Sequence, residues 1–359
     1  MRPALKPALR RLWRDQTTLQ LGIDPDRYVL IEGVDDRAAV FVHALDGTRD
    51  LAETLEIARR QGVRPAHATA LLDALAEAGL LDDATTDTAV WQRLDLAERD
   101  RLGPDLAAMS LQSGAVDGGM ATLASRRDAY VEVRGLGRVG AAVARLLAAA
   151  GVGRVVPRDR APVRAADVVP GGLGVRDIGG CRQQALARAL REEFPTLRTG
   201  PAGHRRRPDL VVIAPADTPE VANRDEPLRR GVPHLYVRVQ ENRGIVGPLV
   251  LPGISSCLRC HDHHRADRDN GWPVVAAQLS TGARHTTNAC DAVLATLVAA
   301  QATLQALGHL QGGATSTVDA VWEVTLPTGA VRQLPRAAHP RCGCVPTTAA
   351  AETPQRPAA

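Results

Sequence analysis

Apolar positions change their spacing twice along the chain. Two short runs near the N-terminus, TTLQLGI and RYVLIEGV, have strand-like patterns and are split by Asp24, Pro25 and Asp26, a turn signal. Helical spacing then takes over. Val40, Phe41 and Ala44 share one face, the Asp46, Gly47 pair stops that helix, and Leu51, Leu55 and Ala58 mark a second. Pro65 opens a third, PAHATALLDALAEAG, with Ala68, Leu71, Leu72 and Leu75 on one stripe and Gly79 at its end. Strands followed by three short helices predict a compact winged-helix-like α+β unit over residues 1–83.

Residues 84–128 are polar and mixed, with helix-compatible pieces around Trp91 to Leu94 and Pro104 to Leu111, and read as a linker with helices. From Tyr130 strands and helices alternate: YVEVR, a helix over 139–150, GRVVPR, a helix over 181–193, DLVVIAP and HLYVRVQ. This pattern predicts an α/β domain with a mostly parallel sheet over residues 129–346. A long apolar helix is expected near 288–307, followed by a hairpin of AVWEVTL and AVRQL around PTG. The Ala, Thr and Pro-rich residues 347–359 are expected to be a disordered tail.

Composition narrows the function classes. A chain of 359 residues can bury two cores, and with aromatics at 3% these must be filled by Leu, Val and Ala. The net charge of +4 is almost wholly arginine, since Lys6 is the only lysine. Without a basic run interleaved with aromatics, the charge gives no support for a nucleic-acid partner. No stretch reaches about 18 consecutive apolar residues, and MRPALKPALRRLWRD lacks the apolar centre of a signal peptide. A cytosolic protein with no membrane partner is expected. In a reducing compartment close cysteine pairs point to metal rather than to disulfides.

The stretch VEVRGLGRVG is a strand that enters a helix through glycines, the context in which such a turn binds phosphate. Gly135 allows the tight turn, Gly137 lets backbone approach an anion and Gly140 lets helix and strand pack closely. Asp159, at the end of GRVVPRD, has the spacing of an acid that binds ribose. Glycines that serve packing alone are the competing reading.

The further succession of DIGGCR, DLVVIAPAD, GIVGPLVLPG, CLRC and CGC resembles the ThiF and MoeB superfamily of adenylating enzymes over residues 115–345. The resemblance implies that Asp159 binds ribose, Arg182 contacts phosphates and Asp217 holds magnesium. It also exposes departures. Ala161 stands where the family has a second acid, Asp167 and Pro170 where it has asparagine and arginine, and Arg182 where it has lysine. The fold is therefore expected to persist as a scaffold with adenylation lost. The kept glycines, Asp159 and Asp217 are compatible with weak ATP binding.

Cys257 and Cys260 form a CxxC, and Cys342 and Cys344 a CxC further on. Two close thiolate pairs suit a tetrahedral zinc with no position left for water, hence a structural site. The neighbouring His261, Asp262, His263 and His264 read as a polar helix start. Cys181 and Cys290 read as buried small residues, not nucleophiles.

The first 83 residues are similar to a PqqD-type peptide recognition element. An extended peptide would add to the strand edge Tyr28, Val29, Leu30 and Ile31, with a groove by Leu71 and Leu75. The third helix lacks Arg and Lys, which argues against a DNA-binding winged helix. The whole resembles the leader-binding cyclodehydratase partner, the Ocin-ThiF-like component of azole-forming peptide modification systems. That resemblance implies a precursor leader peptide and a YcaO-type cyclodehydratase as partners and admits a homodimer. An active adenylyltransferase is the alternative, and a DNA-binding regulator the third reading.

Overall fold

A computed structural model describes residues 1–114, 116–203, 206–215, 225–281 and 289–345. The chain divides into two compact units, Met1–Arg127 and a second beginning at Asp128. The tail expected at 347–359 lies outside the described residues.

The first unit runs β1 (Pro3–Leu5), β2 (Arg11–Trp13), β3 (Leu19–Leu21), β4 (Val29–Ile31), α1 (Asp36–His43), α2 (Leu51–Arg60), α3 (Pro65–Glu77), β5 (Leu81–Asp83), α4 (Ala89–Gln92), α5 (Leu96–Ser113) and α6 (Met120–Asp128). Side chains set the helix starts. Asp35 accepts from the Ala38 N–H, and Asp50 with Glu53 forms a capping box. Strand β1 pairs with β5, and β2, β3 and β4 form an antiparallel three-stranded sheet. Leu21, Phe41, Val42, Leu45, Leu72 and Leu75 belong to the core between them. Lys6 is 2% exposed. Its Nζ donates to the Ser110 carbonyl at 2.5 Å and lies 3.1 Å from Asp82 Oδ1, fastening α5 beside β5.

Between 84 and 128 the helices are longer than the sequence suggests. Asp95 caps α5 by accepting from the Glu98 N–H at 2.8 Å, and the helix then runs through Pro104 instead of starting there. The proline forfeits one backbone bond, a loss that an established cap and flanking helix can offset.

The second unit contains β6 (Tyr130–Arg134), α7 (Arg138–Ala149), β7 (Arg154–Arg158), α8 (Arg182–Glu193), β8 (Leu210–Ile213), α9 (Glu226–Arg229), β9 (His234–Gln240), β10 (Arg243–Val250), α10 (Leu258–Ala266), α11 (Trp272–Thr281), α12 (Ala292–Leu310), β11 (Ala320–Thr325) and β12 (Ala330–Pro335). One sheet has the order β12-β11-β10-β9-β8-β6-β7. Strands β7, β6, β8 and β9 are parallel, and β10, β11 and β12 continue antiparallel as the expected hairpin ending. The parallel strands carry the glycine turn at their C-terminal ends, where α/β sheets bind ligands.

The outer strand β7 is blunted by its own sequence. The Val155 N–H faces outward and donates to the Arg198 carbonyl at 3.0 Å. Two residues on, where the next outward donor would fall, Pro157 has none, so the edge cannot template another strand. Helix α12 is long and apolar enough to cross a membrane by length and composition. Leu294, Val298, Ala302 and Ala306 on one face are instead buried in the core of this unit.

Candidate functional site

The glycine turn joins β6 to α7 and has the shape its sequence predicts. Gly135 has φ +82°, and a Cβ there would meet the Ala214 carbonyl oxygen at 2.1 Å. A Cβ on Gly140 would meet the Gly135 oxygen at 1.9 Å. Gly137 caps α7 without a side chain, leaving the first-turn amides without a side-chain acceptor at the cap.

Charge around the turn is already paired. Arg182, at the start of α8, is 1% exposed. Its Nη2 donates to Asp167 Oδ1 at 2.9 Å and Oδ2 at 2.7 Å, and its Nε to Oδ2 at 3.0 Å. Its Nη1 donates to Asp159 Oδ2 at 3.1 Å. Burial alone would lower the Arg182 pKa, and the two carboxylates outweigh it and hold the guanidinium above its usual value. Asp159 Oδ2 also accepts the Leu136 N–H of the turn at 2.9 Å, while Oδ1 accepts from Ala161 N–H. The acid expected to bind ribose thus takes a turn amide itself.

Two other arginines, Arg138 beside the turn and Arg176 farther along, are committed as well. Arg138 Nε donates to the Ala166 carbonyl at 2.6 Å and its Nη1 to the Cys290 carbonyl at 2.7 Å. Arg176, a basic residue close to α8, is exposed and pairs with Glu192 at 3.1 Å. Asp217, expected to hold magnesium, lies outside the described residues. The turn has the backbone of a phosphate site, but the residues described around it do not fit ATP. The guanidinium expected to meet phosphate is buried between two carboxylates. Cys181 is half-buried with its thiol directed at the Asp159 carbonyl, and burial pushes the Cys290 thiol up, so neither is set as a nucleophile.

The four paired cysteines do converge. Cys257 caps α10, Cys260 lies in its first turn, and Cys342 and Cys344 arrive from the C-terminal segment. Sulfur separations are 4.0 Å for Cys257–Cys260, 3.5 Å for Cys257–Cys342 and 3.3 Å for Cys260–Cys344. Tetrahedral bonds of about 2.3 Å place thiolates roughly 3.8 Å apart, so the set fits one metal ion. Burial and the neighbouring thiols push Cys342 up to about 11 and Cys344 higher still. As thiolates the four repel one another, and a metal cation among them would relieve that repulsion.

A second group, His264, Asp267 and His339, also converges, but its atoms are already engaged: His264 Nε2 with the Ala337 carbonyl at 3.0 Å, His339 and Asp267 with each other. His339 Nδ1 accepts the Arg341 N–H at 3.1 Å, which leaves Nε2–H to donate to Asp267 Oδ2 at 2.8 Å. Arg341 bonds the same carboxylate. This group fastens the C-terminal segment to the end of α10. His261 is half-buried, and the loss of solvent around its ring lowers its pKa to about 3.

In the first unit β4 is an edge strand, paired among the described residues with β3 alone. The Gly22 N–H donates to the Arg10 carbonyl and the Arg14 N–H to the Thr18 carbonyl. Alternation along β3 then turns Leu19 and Leu21 toward β4, where they face Ile31 and Val29. The backbone of Val29 and Ile31 is therefore directed at β3, and that of Leu30 outward. Side chains follow the same alternation: Val29 and Ile31 pack on the core, and Leu30 is exposed. Tyr28 precedes the strand with the Arg14 guanidinium 5.0 Å over its ring. Leu71 and Leu75, expected to line a groove, are 8% and 1% exposed and lie inside the core. Their stripe is the face that holds the unit together, and it offers a peptide no surface.

Residues 113–345 match the ThiF family. No curated protein matches the chain. Among solved structures, Escherichia coli MccB with ATP superposes with a TM-score of 0.71 at 13% identity, covering 96% of this chain and 100% of that chain. The microcin C7 biosynthetic enzyme MccB in complex with N-formylated MccA gives 0.70 at 13%, covering 96% and 99%. PaaA gives 0.67 at 16%, covering 92% and 98%. At such identities the likeness shows the fold, and it extends over both units.

Proposed function

Because the chain belongs to the ThiF family, we propose that it is a substrate-recruiting member that does not adenylate. Residues 1–83 form a PqqD-like, winged-helix-like recognition element that binds the leader of a ribosomally made precursor peptide. The second unit presents that peptide to a YcaO-type cyclodehydratase, which forms azolines from Cys, Ser or Thr. Zinc on Cys257, Cys260, Cys342 and Cys344 has a structural role.

The observation that carries this reading is a contrast within the chain: an open, apolar-backed strand edge at β4, and a nucleotide turn whose charged groups are paired internally. The fold shared with MccB, which has been solved with MccA, adds support. Backbone pairing supplies affinity in strand addition, and Leu30 is the residue whose N–H and C=O face the open edge.

Titration of the full chain with leader peptides encoded beside it tests the reading. Leu30→Pro should abolish binding while leaving the fold intact. Val29→Pro should instead weaken the sheet itself, because that N–H faces β3. No binding by any such leader defeats the proposal. The adenylyltransferase alternative draws on the ATP complex of MccB. ATP–pyrophosphate exchange by this chain alone would favour it.

A further inference from the structure

We propose that Asp167 is a lock on the glycine turn: by pairing with Arg182 it keeps the turn from taking a polyphosphate. This rests on the reading above that the chain does not adenylate, and it names the residue responsible.

The backbone of the turn is not what excludes the ligand. Gly135, Gly137 and Gly140 hold the strand-to-helix geometry without a clash. Exclusion comes from three side chains: Arg182, with Asp159 and Asp167 each within hydrogen-bond reach of it. Arg182 brings one positive charge, while Asp167 and Asp159 bring two negative ones, so the trio by itself is net negative; the nearby Arg138 guanidinium is held by the Ala166 and Cys290 carbonyls. A polyphosphate approaching the trio meets like charge in a poorly solvated place, where repulsion is least screened. The Leu136 amide, which points at the same anion space, already donates to Asp159.

Asp167 is the member whose charge can be removed with least disturbance. It is 5% exposed, and its Oδ2 accepts the Arg164 N–H at 2.8 Å. An asparagine of the same shape keeps an oxygen for that amide or for Arg182, and Arg182 then answers to Asp159 alone. The trio becomes neutral, and the guanidinium can turn toward phosphate with a strong charge-assisted bond.

The test is calorimetric titration of the full chain with magnesium ATP and, separately, with inorganic tripolyphosphate. Asp167→Asn should bind both ligands at least about tenfold tighter than the unaltered chain. Adding Arg182→Gln should cancel the gain. Adding Arg160→Gln, the exposed arginine next to Asp159, should leave it. If Asp167→Asn does not fold, Asp159→Asn removes the same charge from the other side, and tripolyphosphate affinity should rise with it. Equal affinity before and after substitution overturns the lock, as does a gain that survives Arg182→Gln. Leader titrations on the same preparations separate the two ideas. Tight ATP binding by the unaltered chain without pyrophosphate exchange overturns the lock alone, loss of leader binding overturns the recruiting role alone, and exchange overturns both.

Discussion

The cysteine cluster and the glycine turn are both assembled from distant parts of the second unit, yet they differ in how they are completed. The four sulfurs converge with their polar partners chiefly one another. The turn converges with its charge already answered from within the chain. One site is arranged to take a metal ion, and the other has its charges paired from within the chain. Shape alone does not report chemistry, and the pairing of the charged groups adds what shape leaves out.

The sharpest way to break the comparison is to remove the metal. Chelation, or Cys342→Ser, should release one zinc per chain and cost the second unit on the order of 5 kcal/mol or more, since metal affinity in such sites is folding free energy. Elemental analysis and urea unfolding check it. Protein purified without chelators that holds no zinc would show that the cysteine cluster, too, is complete by itself. Thiolates repel one another without a cation, so the effect should also grow as pH rises through the thiol range.

The two sites were not equally legible in the sequence. Paired cysteines a few residues apart announce a shared turn, and the two pairs then have one sensible partner each other. The same short-range logic gave the glycine turn and most strands of the parallel sheet. Asp167 showed only as a departure from the family pattern. Its bond to Arg182 spans 15 positions and crosses from a loop to a helix start, which no spacing reveals. In the first unit, the stripe of Leu71 and Leu75 identified a buried face without saying what buries it, and the answer was the core. The strands β1, β2 and β5 have three residues each, too few for periodicity, and β1 finds β5 only through distant pairing. Pro104 read as a helix start because the Asp95 cap, one turn and more upstream, carries no apolar signal.

A smaller effect is expected from the turn's backbone. Gly140→Ala places a methyl where only 1.9 Å separates it from the Gly135 oxygen, a rigid neighbour that cannot swing aside. Overpacking of this kind should cost about 2–3 kcal/mol. The zinc content should stay unchanged, because the cysteines lie elsewhere in the unit. Urea unfolding with metal analysis on the same sample checks both parts, and loss of zinc together with the turn would show that the two sites are one structural device.

The smallest effect should come from Arg138→Gln. Its guanidinium joins the turn to two loops through the Ala166 and Cys290 carbonyls, and one of those bonds is exposed. Water can replace the exposed bond, and a carbonyl freed at the surface is readily hydrated, so the net loss should be about 1 kcal/mol. That value discriminates between two ways of holding the turn. If close backbone packing under Gly135 and Gly140 holds it, Arg138→Gln shifts the urea midpoint much less than Gly140→Ala. Equal shifts would mean that the side-chain straps hold it instead. In that case the turn is closed by its arginines throughout, Arg138 on the loops and Arg182 on the carboxylates, and the contrast with the metal-dependent cysteines becomes sharper still.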